Sequence, residues 1–248
     1  MKLKHIRRSI LAACVLTSLT ACTSSDATST SRTLTQQEAA DLAQSVNLNY
    51  LKGGATFTIS TVIAPGQGAL QLSGLIDWKN HIGNARVSTA LQNSTLVGVA
   101  WSTNAIAESR PAFEEQLSKF GGVAPHFIIR KPNMNRRIDQ VVAVVMGLAA
   151  EQPENSQLIL QKPGSVFLRE DELRDKAVRV LRYGERNVFW IAKDSGLLLR
   201  FEGSNELGNQ PIIIDFSEHG THKVGFPAQV HLVDAEAHED VMQMTSGF

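Results

Sequence analysis

Asn187-Val188-Phe189-Trp190-Ile191-Ala192-Lys193-Asp194-Ser195-Gly196-Leu197-Leu198-Leu199-Arg200 reads as two strands around a tight turn. The apolar run 188–192 is one strand, Lys193-Asp194-Ser195-Gly196 is the hairpin turn, and 197–202 is the strand that returns. Working outward, residues 177–183 alternate apolar with polar and supply the strand before. The chain is already extended from Ser165 onward. Residues 210–217 and 223–233 continue the pattern beyond, separated by Glu218-His219-Gly220-Thr221. The second half is therefore an antiparallel meander.

The first half holds another. Phe57, Ile59, Thr61 and Ile63 alternate with Thr58, Ser60 and Val62, and Pro65-Gly66-Gln67-Gly68 turns the chain. Leu70, Leu72, Gly74, Ile76 and Trp78 then alternate with polar neighbours. Residues 79–84 turn again, 86–91 form a third strand, and 95–102 a fourth with Val97, Val99 and Trp101 on one face. Before this meander of residues 55–102, Thr35-Gln36-Gln37-Glu38 is a capping box. It opens a helix over 36–51 with Ala39, Leu42, Ala43, Val46 and Tyr50 at helical spacing, stopped by Gly53-Gly54.

Between the meanders, 111–120 has the pattern of a short helix closed by Gly121-Gly122, and Pro125 and Pro132 keep the next stretch extended or looped. Residues 138–150 carry Ile138, Val141, Val142, Val145, Met146, Leu148 and Ala149, apolar nearly all round, so a buried helix is expected there. Pro153 ends it, and 158–160 is a short apolar segment. No stretch of linker composition divides the two strand groups. One continuous sheet with helices on one side, an α+β domain over 35–235 followed by a polar tail 236–248, is the economical reading.

The N-terminus carries an address. Lys2, Lys4, Arg7 and Arg8 precede an apolar run, 9–19, too short to span a bilayer, so residues 1–21 read as an export signal. Leu19-Thr20-Ala21 sits directly against Cys22, the pattern of lipoprotein processing. Cleavage after Ala21 would make Cys22 the first residue and the acceptor of a thioether-linked diacylglycerol. Cys14 would leave with the leader, so the remainder could form no internal disulfide. Residues 22–34 are a flexible tether dominated by Ser and Thr. The expected location is the outer face of the cell membrane.

Composition excludes some functions. Of 248 residues 43% are hydrophobic, ample for a core, and 24 basic residues balance 24 acidic ones. All four charges of the leader are basic, so the remaining 227 residues are weakly acidic and have no electrostatic reason to hold nucleic acid. No nucleophile elbow, Walker loop or zinc-binding helix motif occurs, and nothing calls for a cofactor or an enzyme. His219 and His222 beside Gly220, and His231 and His238 near the tail, read as solvated surface histidines rather than metal ligands. Glu170-Asp171-Glu172 reads as a solvated turn. Arg130-Lys131 and Arg136-Arg137 bracket the start of the buried helix, solvated by default, and Trp78, Trp101 and Trp190 read as packed in the sheet.

The strand–turn–strand run 187–200, followed by Ile212-Ile213-Ile214-Asp215-Phe216-Ser217, resembles the signature of LolA-like proteins. Among these it is most similar to the LppX/LprG-type lipid-carrier lipoproteins of actinobacteria. Leu72-Ser73-Gly74-Leu75-Ile76-Asp77-Trp78 resembles that family's second strand. The resemblance implies a curved antiparallel half-barrel with helices on its concave face and an apolar cavity for a lipid, glycolipid or acylated partner. It also implies carriage without chemistry. Phe57, Ile59, Leu72, Ile76, Val97 and Val99, which alternate toward one face, are the candidate ligand-binding residues. An envelope sensor or scaffold of the same fold, with a collapsed cavity and a protein partner, stays open as the alternative.

The address is testable. Replacing Cys22 with Ala is expected to abolish incorporation of labelled palmitate and to move the protein from the detergent phase to the aqueous phase on phase separation. Unchanged partitioning would remove the anchor from the account.

Overall fold

The computed structural model describes residues 31–62, 69–89, 92–109, 127–204, 211–226 and 232–234. The chain opens with a short edge strand, β1 (Arg32–Thr33), and a helix, α1 (Gln36–Lys52). The capping box forms as read: the Glu38 N–H donates to Thr35 Oγ1 at 3.2 Å and the Thr35 N–H to Glu38 Oε2 at 2.9 Å. Arg32 closes on the same carboxylate with both guanidinium nitrogens, at 2.8 and 2.6 Å. That fork holds the Glu38 carboxyl down at about 2, so the helix start carries a fixed negative charge where the helix dipole favours one. Gly53, at φ 96°, ends the helix.

The first meander is β2 (Gly54–Val62), β3 (Ala69–Asp77), β4 (Ile82–Thr89) and β5 (Gln92–Trp101). Two short strands, β6 (Ile106–Ser109) and β7 (Phe127–Arg130), extend it. Helices α2 (Arg137–Gly147) and α3 (Ser156–Gln161) follow. The second meander is β8 (Val166–Leu173), β9 (Lys176–Tyr183), β10 (Asn187–Ala192), β11 (Leu198–Ser204) and β12 (Pro211–Ser217). β13 (Leu232–Asp234) lies parallel to β7.

All these strands belong to one sheet, in the order β1-β8-β9-β10-β11-β12-β2-β3-β4-β5-β6-β7-β13. Every neighbouring pair but the last is antiparallel. The two meanders join where β12 pairs with β2, setting Phe216 opposite Phe57 and Ile214 opposite Ile59. The sheet is open and curved, and its concave face carries the helices. The main core lies between them: Phe57, Ile59, Leu72, Ile76, Trp78, Ile212 and Phe216 from the sheet meet Leu42 of α1 and Val141 and Val145 of α2. Trp78 tilts against Phe216 at 5.5 Å and Phe57 against Trp101 at 6.0 Å.

A smaller cluster occupies the opposite face of β9–β11. Val178, Val180, Ala192 and Leu199 pack there with Trp190, whose ring lies beneath the guanidinium groups of Arg169 at 5.1 Å and Arg200 at 5.4 Å. Arg200 is held in turn by two bonds to Asp215, 2.8 and 2.9 Å long.

Several boundaries depart from the sequence reading. Glu170, Asp171 and Glu172 lie in β8 rather than in a turn. The reversal falls at Arg174-Asp175, both in the left-handed region at φ 53° and 59°. β8 pairs with β1 over two residues only, so its charged side chains reach water from within a ladder. Residues 158–160 sit in α3. Residues 223–226, expected as strand, carry none, with Gly225 inside them and Pro227 next. The expected turn 65–68 and helix 111–120 lie outside the described residues.

At Gly74 the sheet leaves no room for a side chain. A Cβ there would collide with the backbone of Asn84 and Ala85, whereas at Gly98 the nearest atom, Ser109 Cβ, would be 3.6 Å away. Gly74→Ala should therefore cost about 3 kcal/mol and lower the melting temperature by roughly 6–12 °C, while Gly98→Ala should stay within about 0.5 kcal/mol of the parent. Thermal denaturation of the two variants checks the contrast.

Candidate functional site

The site is a cavity that opens because α2 is fixed at its ends rather than along its length. At the N-terminal end the Asp139 carboxylate accepts from Arg130 through both oxygens at 2.6 Å and from the Asn133 N–H at 2.6 Å. Arg130 also donates through Nε to Glu108 at 2.9 Å, and Arg136 approaches Glu108 at 3.0 Å. The carboxylates are almost fully buried, Glu108 at 2% and Asp139 at 1% exposure. Burial opposes the Arg130 charge, but the bonds to Asp139 and Glu108 outweigh it and raise its pKa. Arg130 and Arg136 are thus partners in a buried network rather than solvated cations.

At the C-terminal end, α1 holds the chain leaving α2. The Asn49 side-chain amide donates to the Leu148 carbonyl at 2.9 Å, and that of Asn47 to the carbonyls of Ala150 and Glu151 at 3.1 and 2.7 Å. Trp78 Nε1 donates to the Val145 carbonyl at 3.1 Å from the sheet side. Trp101 Nε1 lies 3.3 Å from Met146 Sδ. These bonds satisfy carbonyls that a helix end leaves without partners.

Between its ends α2 sorts by face. Ile138, Val141, Val142 and Val145 are buried, while Ala143 and Gly147 are exposed and Val144 half-buried. The expectation of a helix buried nearly all round is corrected there. The small residues stand back from the opposite wall, and the gap is a cavity of about 700 Å³. Leu42, Ala43 and Val46 of α1 and Ile159 of α3 form further walls, and Tyr183, Phe189, Phe201 and Ile212 come from β9 to β12. Phe189 and Phe201 meet edge to face at 5.2 Å. Most polar groups gather at one margin, where Tyr183 Oη donates to Glu154 Oε1 at 2.8 Å and Gln152 and Asn187 also line the wall; Gln140 of α2 is a further polar lining residue. Burial, with the Glu154 bond, pushes the Tyr183 hydroxyl up to about 12. A smaller cavity of 280 Å³ lies against Trp101, Ile106, Val142 and Met146, and shares Met134 and Ala143 with the first.

Phe57, Ile59, Leu72, Ile76, Val97 and Val99 are all buried in the main core. None of them lines the 700 Å³ cavity, and Val99 alone borders another depression, a groove beside Gly225 and Phe226. The six sit on β2, β3 and β5 of the first meander, whereas the cavity walls come from the second meander and the helices. The signal for those walls lay in the small residues of a helix otherwise rich in valine, Ala143 and Gly147, and in the inward alternation of Phe189 and Ile191.

No known family profile matches the chain, and no curated protein matches it in sequence. Among solved structures it is similar to the lipoprotein LppX of Mycobacterium tuberculosis, at 11% identity and a TM-score of 0.48 over 75% of this chain and 97% of that one. LprF from Mycobacterium bovis gives 9% and 0.46 over 78% and 96%. A LolA superfamily protein from Nitrosomonas europaea gives 12% and 0.32 over 80% and 97%. The fold itself is an open, curved antiparallel sheet with helices on its concave face. Likenesses this distant carry no argument of their own.

Among the described residues no three of His, Cys, Asp and Glu converge to hold a metal ion. His219 is not the solvated residue expected: it is half-buried near Phe216, with Nε2 3.1 Å from the Leu198 carbonyl, and burial pushes its pKa down to about 4. His231 and His238 lie outside the described residues.

Removing the centre of the buried network tests how α2 is held. Arg130→Met leaves two buried carboxylates without their shared partner, and should destabilise the fold by about 3–5 kcal/mol in urea unfolding. A loss below 1 kcal/mol would show that the network does not hold the helix.

Proposed function

We propose that this protein is a lipoprotein of the cell envelope that holds or carries a hydrophobic ligand in the cavity beneath α2. The observation that carries the reading is that cavity: about 700 Å³, walled largely by hydrocarbon from three helices and four strands, with a few polar side chains among the walls. Small-molecule sites have this anatomy, at roughly 300–1,000 Å³ with a few polar groups that orient the ligand. A sensor or scaffold with a collapsed cavity would have no use for such a space, and its exposed small residues favour the carrier. Tyr183 and Glu154 bond to one another, and a hydroxyl with its pKa pushed up keeps its proton. That pair suits binding rather than proton transfer.

The leader and Cys22 supply the setting. Acylation at Cys22 would hold the domain within one tether of the bilayer, where a hydrophobic ligand is found, and several buried acyl methylenes at about 0.8 kcal/mol each make such an anchor stable.

Solvent extraction and mass spectrometry of the purified protein should recover one lipid per chain. Gly147→Phe provides the control, because Gly147 lines the cavity and a Cβ there would meet no atom within 4 Å, so the added ring is expected to occupy the space. This variant should remain folded by circular dichroism and lose the lipid by at least tenfold. A folded parent protein without lipid would defeat the reading.

A further inference from the structure

Resting on the ligand-holding reading, we propose that the cavity selects an amphiphile with a single acyl chain and an uncharged, hydroxyl-bearing headgroup. Two observations carry this, one of size and one of charge.

The space of about 700 Å³ accommodates roughly twenty groups of methylene or water size, at about 30 Å³ each. That is close to the heavy-atom count of one long-chain monoacylglycerol. A second chain of equal length would have to lie outside the walls and leave its apolar surface in water. The adjoining 280 Å³, whose lining includes Trp101, Ile106, Val142 and Met146, holds roughly nine such groups, too few for a second chain of equal length.

Charge restricts the headgroup. Among the described residues lining the cavity there is no Lys, Arg or His, and the one carboxylic acid among them is Glu154. Lys162 approaches this margin, with its Nζ 5.6 Å from the centre of the Tyr183 ring. Tyr183 in turn donates to Glu154. A phosphate entering beside the Glu154 carboxylate would meet like charge and give up hydration with no cation among the described lining residues to pair it. The polar groups that do line this margin suit hydroxyls. Gln152 and Asn187 each present an amide with donors and an acceptor, and a hydroxyl is likewise both. A headgroup of hydroxyls can therefore exchange its water bonds for protein bonds without moving charge out of water.

The test uses the full chain carrying Cys22→Ala, so that its own acyl groups cannot compete, loaded with a fluorescent long-chain probe. Three ligands with the same palmitoyl chain are titrated as competitors: 1-palmitoylglycerol, its phosphate-headed counterpart lysophosphatidic acid, and dipalmitoylglycerol. The expected result is that 1-palmitoylglycerol displaces the probe at least tenfold more tightly than either of the others. Glu154→Gln should narrow the gap to the phosphate ligand at least threefold, and Gly147→Phe should abolish probe binding, which places it in the cavity. Equal or tighter binding of the phosphate ligand overturns the charge argument, and of the two-chain ligand the size argument, while either result leaves the ligand-holding reading in place. A folded chain that takes up neither probe nor competitor overturns both.

Discussion

The pairing of β12 with β2 is the constraint on which the rest of the molecule depends. Each meander alone is a local product of hairpins, with one face that needs covering. Joining Phe216 to Phe57, Ile214 to Ile59 and Ile212 to Thr61 across more than 150 residues of chain turns two ribbons into one curved sheet. That sheet has a single concave face, and the helices connecting the meanders have one place to bury their apolar stripes. Loop-closure entropy opposes so long a connection, but it grows only slowly with length, whereas a ladder of this kind buries several large side chains at once. Phe57 and Phe216 are both at 1% exposure or less, and Trp78 packs on the latter.

With that face established, the position of α2 decides whether the interior is solid or hollow. Its sheet-facing valines are packed, its ends are held by polar bonds, and the opposite flank is left with Ala143 and Gly147. Buried charges seldom stabilise a fold better than hydrocarbon would. Here the Glu108–Arg130–Asp139 network places a helix end by directional bonds at a point where apolar packing would be non-directional. The helix can be held without filling the space beside it. A cavity of this size lowers stability, and the two fixed ends keep the flank from collapsing to recover that loss.

Much of this was legible in the chain. The capping box at Thr35 and Glu38, the hairpin at 193–196 and the alternation of both meanders depend on neighbours close in sequence, and each appears where it was read. The short strands β6 and β7 were not legible, because Glu108 interrupts the apolar alternation of Ile106 and Ala107, and it takes Arg130 from another strand, with Arg136, to make a buried glutamate acceptable. Glu170 to Glu172 misled for the converse reason: a run of acids resembles a turn unless it is known that the strand lies beside a two-residue edge. His219 looked solvated beside Gly220 until Phe216 and the Leu198 carbonyl were seen around it.

The candidate ligand residues mark the limit. Phe57, Ile59, Leu72, Ile76, Val97 and Val99 do share one face, and alternation shows that much. It cannot show which part of a face is covered by a helix and which part stands open. By itself the sequence determined the elements, the two meanders, the side each strand presents and the processing pattern ending at Cys22, because these follow from local periodicity and motif. Tertiary structure alone decided that β12 meets β2, that Arg130 joins two buried acids, and that the walls of the cavity are Phe189, Phe201, Val46 and the small flank of α2. A cavity is the space that packing fails to fill, and that depends on how distant surfaces meet.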